Sequence, residues 1–140
     1  MSELSIIEKV IALEAVDLFR GLSAEQIWRI GGIAHEMTVP PGRTILDADA
    51  DVDSLYIIVD GQVELVRNGE PFHTAQRGEV LGSWALFDEA PLAVGARSVA
   101  DVRLLRISRV EFFDLLSDNM QITAAIFRTI VKRFRTMAGS

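Results

Sequence analysis

Hydrophobic and polar positions change period twice along the chain. Between residues 4 and 15 they recur at three- and four-residue spacing, which predicts a helix with Leu4, Ile7, Val10 and Ile11 on one face. Ser5 and Glu8 are spaced as its capping box. Leu18-Phe19-Arg20-Gly21-Leu22 turns the chain. Ser23 and Gln26 open a second helix, stapled by Leu22 and Ile27 and carrying Ile27, Ile30 and Ala34, with His35 expected at its end. From Glu36 the period falls towards two. Met37-Thr38-Val39, Thr44-Ile45-Leu46, Leu55-Tyr56-Ile57-Ile58-Val59, Gln62 to Arg67, Phe72-His73-Thr74-Ala75 and Ala100 to Ile107 read as strands. Pro40-Pro41-Gly42 marks a turn, and Asp60-Gly61 and Asn68-Gly69 are hairpin signals. After Ser108 the longer period returns. Ser108 and Glu111 form a third capping box for a helix packing Phe112, Phe113, Leu115 and Leu116. Asp118 or Asn119 starts a last helix, with Met120, Phe127, Ile130, Phe134 and Met137 at 3–4 spacing and Ile122, Ile126 and Val131 widening the stripe. Many short strands with glycine turns, bracketed by helices, predict a mainly β fold closed as a sandwich or roll.

One stretch inside the β region departs from strand pattern. In residues 78–96 two glycines open a turn, Trp84-Ala85-Leu86-Phe87 can close one helical turn, and Pro91 ends it. A glycine ahead of a helical turn leaves backbone N–H groups unpaired, an arrangement that suits a phosphate. A tight connection between two strands explains the same residues without any ligand.

The neighbouring phrases decide between these. Leu81-Gly82-Ser83-Trp84-Ala85-Leu86 followed by Pro91-Leu92-Ala93-Val94-Gly95-Ala96 resembles the phosphate-binding cassette of the cyclic nucleotide-binding domain. Its family pattern runs roughly F-G-E-[LI]-A-L and then P-R-x-A-[TS]-V. Ser54-Leu55-Tyr56-Ile57-Ile58-Val59-Asp60-Gly61-Gln62-Val63 is similar to the family's S-L-Y-x-I-x-x-G-x-V. Residues 99–116 resemble its A-x-x-D-V-x-L-L-x-[IL] strand and following helix, and Leu18-Phe19 with Gly21-Leu22-Ser23 resembles its lead-in. The resemblance covers about residues 16–116. It implies a double-stranded β-helix, a jelly-roll-like β-roll with N-terminal and C-terminal helices. One domain over 1–140 is expected, with helices in 1–35, the roll in 36–107 around the cassette at 78–96, and C-terminal helices in 108–138.

The same resemblance names candidate ligand contacts: Gly82, Ser83, Trp84, Ala85, Leu92, Ala93 and Val94. The frame is kept and the charged contacts are not. Where the family has the Glu that takes the ribose 2′-hydroxyl, Ser83 stands. Where it has the Arg that neutralises the cyclic phosphate, Leu92 stands, and Gly95 stands for the Thr or Ser near the phosphate. Arg97 is a nearby cation whose direction depends on strand alternation. The E-G-D phrase usual before Ser54 is Ala48-Asp49-Ala50 here. These replacements predict a regulatory sensor module with weak or lost cyclic-nucleotide binding, signalling through the C-terminal helix. The alternative is a functional cAMP or cGMP sensor with altered contacts. Leu92 and Trp84 make the pocket more apolar, as suits a lipid-like ligand or self-occupation.

Composition narrows the remaining choices. Across 140 residues, 49% hydrophobic and 24% charged content suits a single folded domain. A net charge of -6 argues against free-standing nucleic-acid binding, and the chain stops at Ser140 with no room for a following helix-turn-helix. No apolar run reaches a membrane span, no basic leader precedes Leu4, and no cysteine is present, so a cytoplasmic location is expected. Asp47-Ala48-Asp49-Ala50-Asp51-Val52-Asp53 imitates a calcium loop, but Val52 and Ile58 occupy the positions that need Gly and Glu. His35 and His73 have no metal-ligand spacing, and no catalytic triad or phosphate loop is found. No enzyme activity, metal or cofactor is expected. The apolar stripe of the last helix has two readings, packing on the roll or a homodimer seam.

Overall fold

The computed structural model describes residues 3–48, 52–82, 86 and 94–139. Two four-stranded antiparallel sheets face each other. In chain order the strands are β1 (His35–Val39), β2 (Thr44–Leu46), β3 (Ser54–Asp60), β4 (Val63–Arg67), β5 (Glu70–Ala75), β6 (Val80–Leu81), β7 (Gly95–Ser98) and β8 (Val102–Ser108). The first sheet runs β1-β8-β3-β6 and the second β2-β7-β4-β5. Helices α1 (Ile6–Leu13) and α2 (Ala24–Gly31) precede the roll, joined by a 3-10 turn at Asp17–Phe19. Helices α3 (Arg109–Asp118) and α4 (Met120–Met137) follow it.

Two hydrophobic cores result, and the first sheet divides them. Along β3, Leu55 and Ile57 face the helices, where they meet Leu13, Phe19, Ile30, Phe112 and Ile122. Ile58 and Tyr56 face the second sheet, with Val63, Ala75, Leu81 and Ala96. Strand β8 divides in the same way, Leu105 and Ile107 against Val102 and Leu104. Period-two alternation between two apolar surroundings makes β3 an almost unbroken apolar run. Each such side chain contributes about 1.5–3 kcal/mol when fully buried.

The turns follow their residues. Asn68 (φ 53°) and Gly69 (φ 78°) close the β4–β5 hairpin with both central residues left-handed. Asp60-Gly61 is no hairpin. Strands β3 and β4 belong to different sheets, so the pair carries the chain across the roll. Gly61 has φ 97°, and a Cβ there would press on the Asp101 carbonyl oxygen and lie 2.9 Å from Val102 Cα.

The helices follow their caps more closely than their expected faces. The Glu8 amide donates to Ser5 Oγ and the Ser5 amide to Glu8 Oε1, both at 3.1 Å, and Ser23 with Gln26 repeats the exchange. Leu4, just ahead of α1, and Leu13 at its end are buried and Val10 packs on the core, while Ile7 and Ile11, expected on the same face, are exposed. The helix has only two turns, so its two docked ends set which side turns inward. His35 begins β1 rather than ending α2. At α3 the Glu111 amide donates to Ser108 Oγ (3.2 Å), but the Glu111 carboxylate accepts from His35 Nε2 (2.9 Å) instead of closing the box on the Ser108 amide. Asn119 starts α4 without a side-chain cap and donates to the Leu115 carbonyl.

Candidate functional site

The cassette leaves the edge of one sheet and enters the middle of the other. Strand β6 is the outer strand of the first sheet, and β7 lies between β2 and β4 in the second. Gly82, half-buried with φ 72°, turns the chain out of β6, a backbone shape that suits glycine. Val94, also half-buried, leads into β7. Of the seven candidate contacts these two are described. Ser83, Trp84, Ala85, Leu92 and Ala93 lie outside the described residues.

Ahead of Gly82 the turn is clasped by hydrogen bonds. Glu79 accepts from His73 Nε2 on β5 (2.7 Å) and from the Gln76 amide (2.6 Å). Partial burial of the Glu79 carboxyl opposes ionisation, but these two hydrogen bonds outweigh it and hold the group below the usual carboxylate range. The clasp ties the edges of the two sheets together where the cassette begins. Its signal in the sequence was weak, because His73 and Glu79 are six positions apart and only the β5–β6 turn brings them together.

Inside the cassette Leu86 is fully buried, in the core between the first sheet and the helices. The same core holds Phe19 of the 3-10 turn, Phe112 of α3, and Ile122, Ala125 and Ile126 of α4. The Phe19 and Phe112 rings lie 6.2 Å apart and tilted by 38°, within the range of favourable aromatic pairing. Asp17, in the 3-10 turn, accepts from Arg20 Nε (3.1 Å) and also pairs with Arg133 of α4. Cassette, 3-10 turn and C-terminal helices therefore share one packed interior. A cavity of about 340 Å³ beside Gly78, Glu79 and Val80, bounded by residues 15–18 and Arg133, lies on this helical side of the sheet and not inside the roll.

Strand alternation settles two further positions. On β7, Ala96 and Ser98 are buried while Arg97 is exposed, paired across the strands with Thr44 and Glu64. Arg97 thus points away from the roll interior. Gly95 lies on the Arg97 side as well. A Cβ there would approach the Leu46 carbonyl oxygen (3.4 Å) and Ala48, not the interior. Gly95 therefore shares the Arg97 face of β7, opposite the buried Ala96. Ser98 serves the structure: its hydroxyl donates to the Pro40 carbonyl (2.6 Å) and accepts from the Arg43 amide (2.9 Å), pinning the Pro40-Pro41-Gly42 turn.

Elsewhere, residues 49–51 of the acidic run lie outside the described residues. Val52 and Ile58 both lie in the core between the sheets. No metal-holding group of His, Cys, Asp or Glu occurs among the described residues.

The chain that carries the cassette segment is matched by known proteins. Residues 36–119 fit the family model of the cyclic nucleotide-binding domain. The chain belongs to the cyclic nucleotide-binding domain family. It is 29% identical over 106 residues to a cAMP-dependent protein kinase regulatory subunit of Aspergillus fumigatus, a match covering 74% of this chain and 26% of that protein. With a CRP-like cAMP-activated global transcriptional regulator of Mycobacterium tuberculosis it shares 23% identity, over 88% of this chain and 57% of the relative. In structure it is similar to the N-terminal domain of a transcriptional regulator from Streptomyces coelicolor, with TM-score 0.85 at 23% identity over 92% and 96% of the two chains, which bears on the fold. The chain spans between about a quarter and somewhat over half of these two curated relatives. They are regulatory proteins, and the β-roll with flanking helices expected from sequence is the fold observed.

Proposed function

We propose that this cyclic nucleotide-binding domain is a non-catalytic regulatory module whose cassette binds cyclic nucleotides weakly or not at all, and whose output runs through α4. The observation that carries this reading is the missing counter-ion. Leu92 occupies the position of the family's phosphate-binding Arg, and Arg97, the cation five residues on, faces outward from β7. A phosphodiester without its charge-assisted partner loses about 2–5 kcal/mol, roughly thirtyfold to several thousandfold in affinity. The seven cassette positions named above remain the proposed ligand surface, for a small molecule or for the chain's own side chains.

The output side rests on the shared core. A change in the cassette that moved Leu86 would be felt by Phe112, Ile122 and Ile126, because close-packed interiors transmit displacement. A ligand shifts α4 only as far as it prefers one arrangement of that core. A second reading for α4, a homodimer seam, is favoured by the seven-residue spacing of Met120, Phe127 and Phe134. Isothermal titration calorimetry with cAMP, cGMP and cyclic dinucleotides tests the main reading. Heats too small for micromolar affinity are expected, and micromolar binding of any of them overturns it.

A further inference from the structure

We propose that the outward face of α4 is an interfacial surface that seats on an anionic lipid bilayer. The helix has two apolar faces. Ile122, Ala125 and Ile126 are buried in the core that α4 shares with α3 and the 3-10 turn. On the adjoining side Met120 (77%), Phe127 (66%), Phe134 (70%) and Met137 (86%) are exposed, with Ile130 and Val131 among them. At 100° per residue these side chains form one exposed arc, bordering the buried stripe at Met137 and Ile130 and running round to Met120 and Val131.

Charge selects the occupant. Helix α4 holds four of the chain's fourteen cations, Arg128, Lys132, Arg133 and Arg135, and none of its twenty carboxylates. With the whole chain at -6, the helix stands at +4 and the remainder at -10. Arg128 and Arg135 line one border of the apolar arc, with Lys132 next to them, while Arg133 lies on the other side, tied to Asp17. A second copy packed symmetrically on this face would set Arg128 and Arg135 of both helices along one seam with no helix carboxylate to answer them, where paired helices usually carry mixed signs. An anionic bilayer supplies an apolar layer for the phenylalanines and a negative surface for the cations. The acidic body would be repelled from that surface, which orients the molecule with α4 downward. The inference is independent of whether the cassette takes a nucleotide.

Flotation of the whole protein with vesicles tests it, comparing pure phosphatidylcholine with equal parts phosphatidylcholine and phosphatidylglycerol. The protein is expected to float with the anionic vesicles, to remain behind with neutral ones, and to be released by salt. R128Q/R135Q is expected to weaken partitioning about thirtyfold, at the usual attraction of each cation near an anionic surface. F127S/F134S, whose side chains are already exposed, is expected to abolish it with an unchanged circular dichroism spectrum. No flotation, or equal flotation with neutral vesicles, overturns the proposal. So does a dimer seen by sedimentation that F127S/F134S dissolves and anionic vesicles do not.

Discussion

Restoring the family's charged contacts provides the sharpest test of the cassette. The perturbation is L92R, alone and with S83E. Its size follows from what the structure leaves without a substitute. Arg97 is exposed on the outer face of β7, so β7 offers no cation that a new Arg would merely duplicate. A guanidinium at 92 should then contribute most of the cost of an unpaired phosphodiester, about 2–5 kcal/mol, or a gain of about thirtyfold to several thousandfold for cAMP. Adding S83E, a carboxylate accepting from the ribose hydroxyl, should contribute about 1.5–3 kcal/mol more. G95T serves as the control. Its Cβ would meet the Leu46 carbonyl and Ala48 at ordinary contact distance, so the variant should fold and add no affinity. Calorimetry with cAMP and cGMP measures all of these, with melting curves to confirm folding. A folded L92R that gains less than about tenfold, or a wild type already binding at micromolar concentration, refutes the reasoning.

Three further outcomes follow from the geometry. G61A forces a side chain at φ 97° against Asp101 and Val102 and should destabilise by about 2 kcal/mol or more, read as a lower denaturation midpoint at unchanged slope; an unchanged midpoint would contradict the close approach. F112A removes a fully buried ring shared by α3 and the 3-10 turn and should cost about 3–5 kcal/mol, measurable by urea unfolding. Glu111, held below the usual carboxylate range first by the hydrogen bond from His35, and Glu79, held there against its burial by His73 and the Gln76 amide, have folded-state values below their unfolded ones. Their contribution is therefore complete above the unfolded carboxylate range and is lost as the pH falls through the folded values. The E79Q/E111Q variant should show a flatter acid limb in melting temperature against pH, and an acid limb identical to wild type would show that neither clasp contributes.

Much of this protein was legible in the order of its residues. Alternation at β3 and β8, the Asn68-Gly69 turn and the Ser5 and Ser23 capping boxes are local rules, satisfied by neighbours a few positions apart, and the family resemblance rests on phrases of the same kind. What local pattern could not supply was direction across distance. Asp60-Gly61 reads as a hairpin because the signal for a turn does not say which sheet the next strand joins. Ile7 and Ile11 read as core because a two-turn helix is rotated by whatever it docks on. Glu111 reads as a capping box until His35, remote in sequence, takes its carboxylate. At the site, Arg97 and Gly95 received their facing only once Ala96 was seen to be buried between the sheets. The apolar stripe of α4 separated into a buried and an exposed part only when the core with Phe19 and Phe112 took in Ile122 and Ile126. Residue spacing determines which side chains share a face; packing alone determines which face the protein buries.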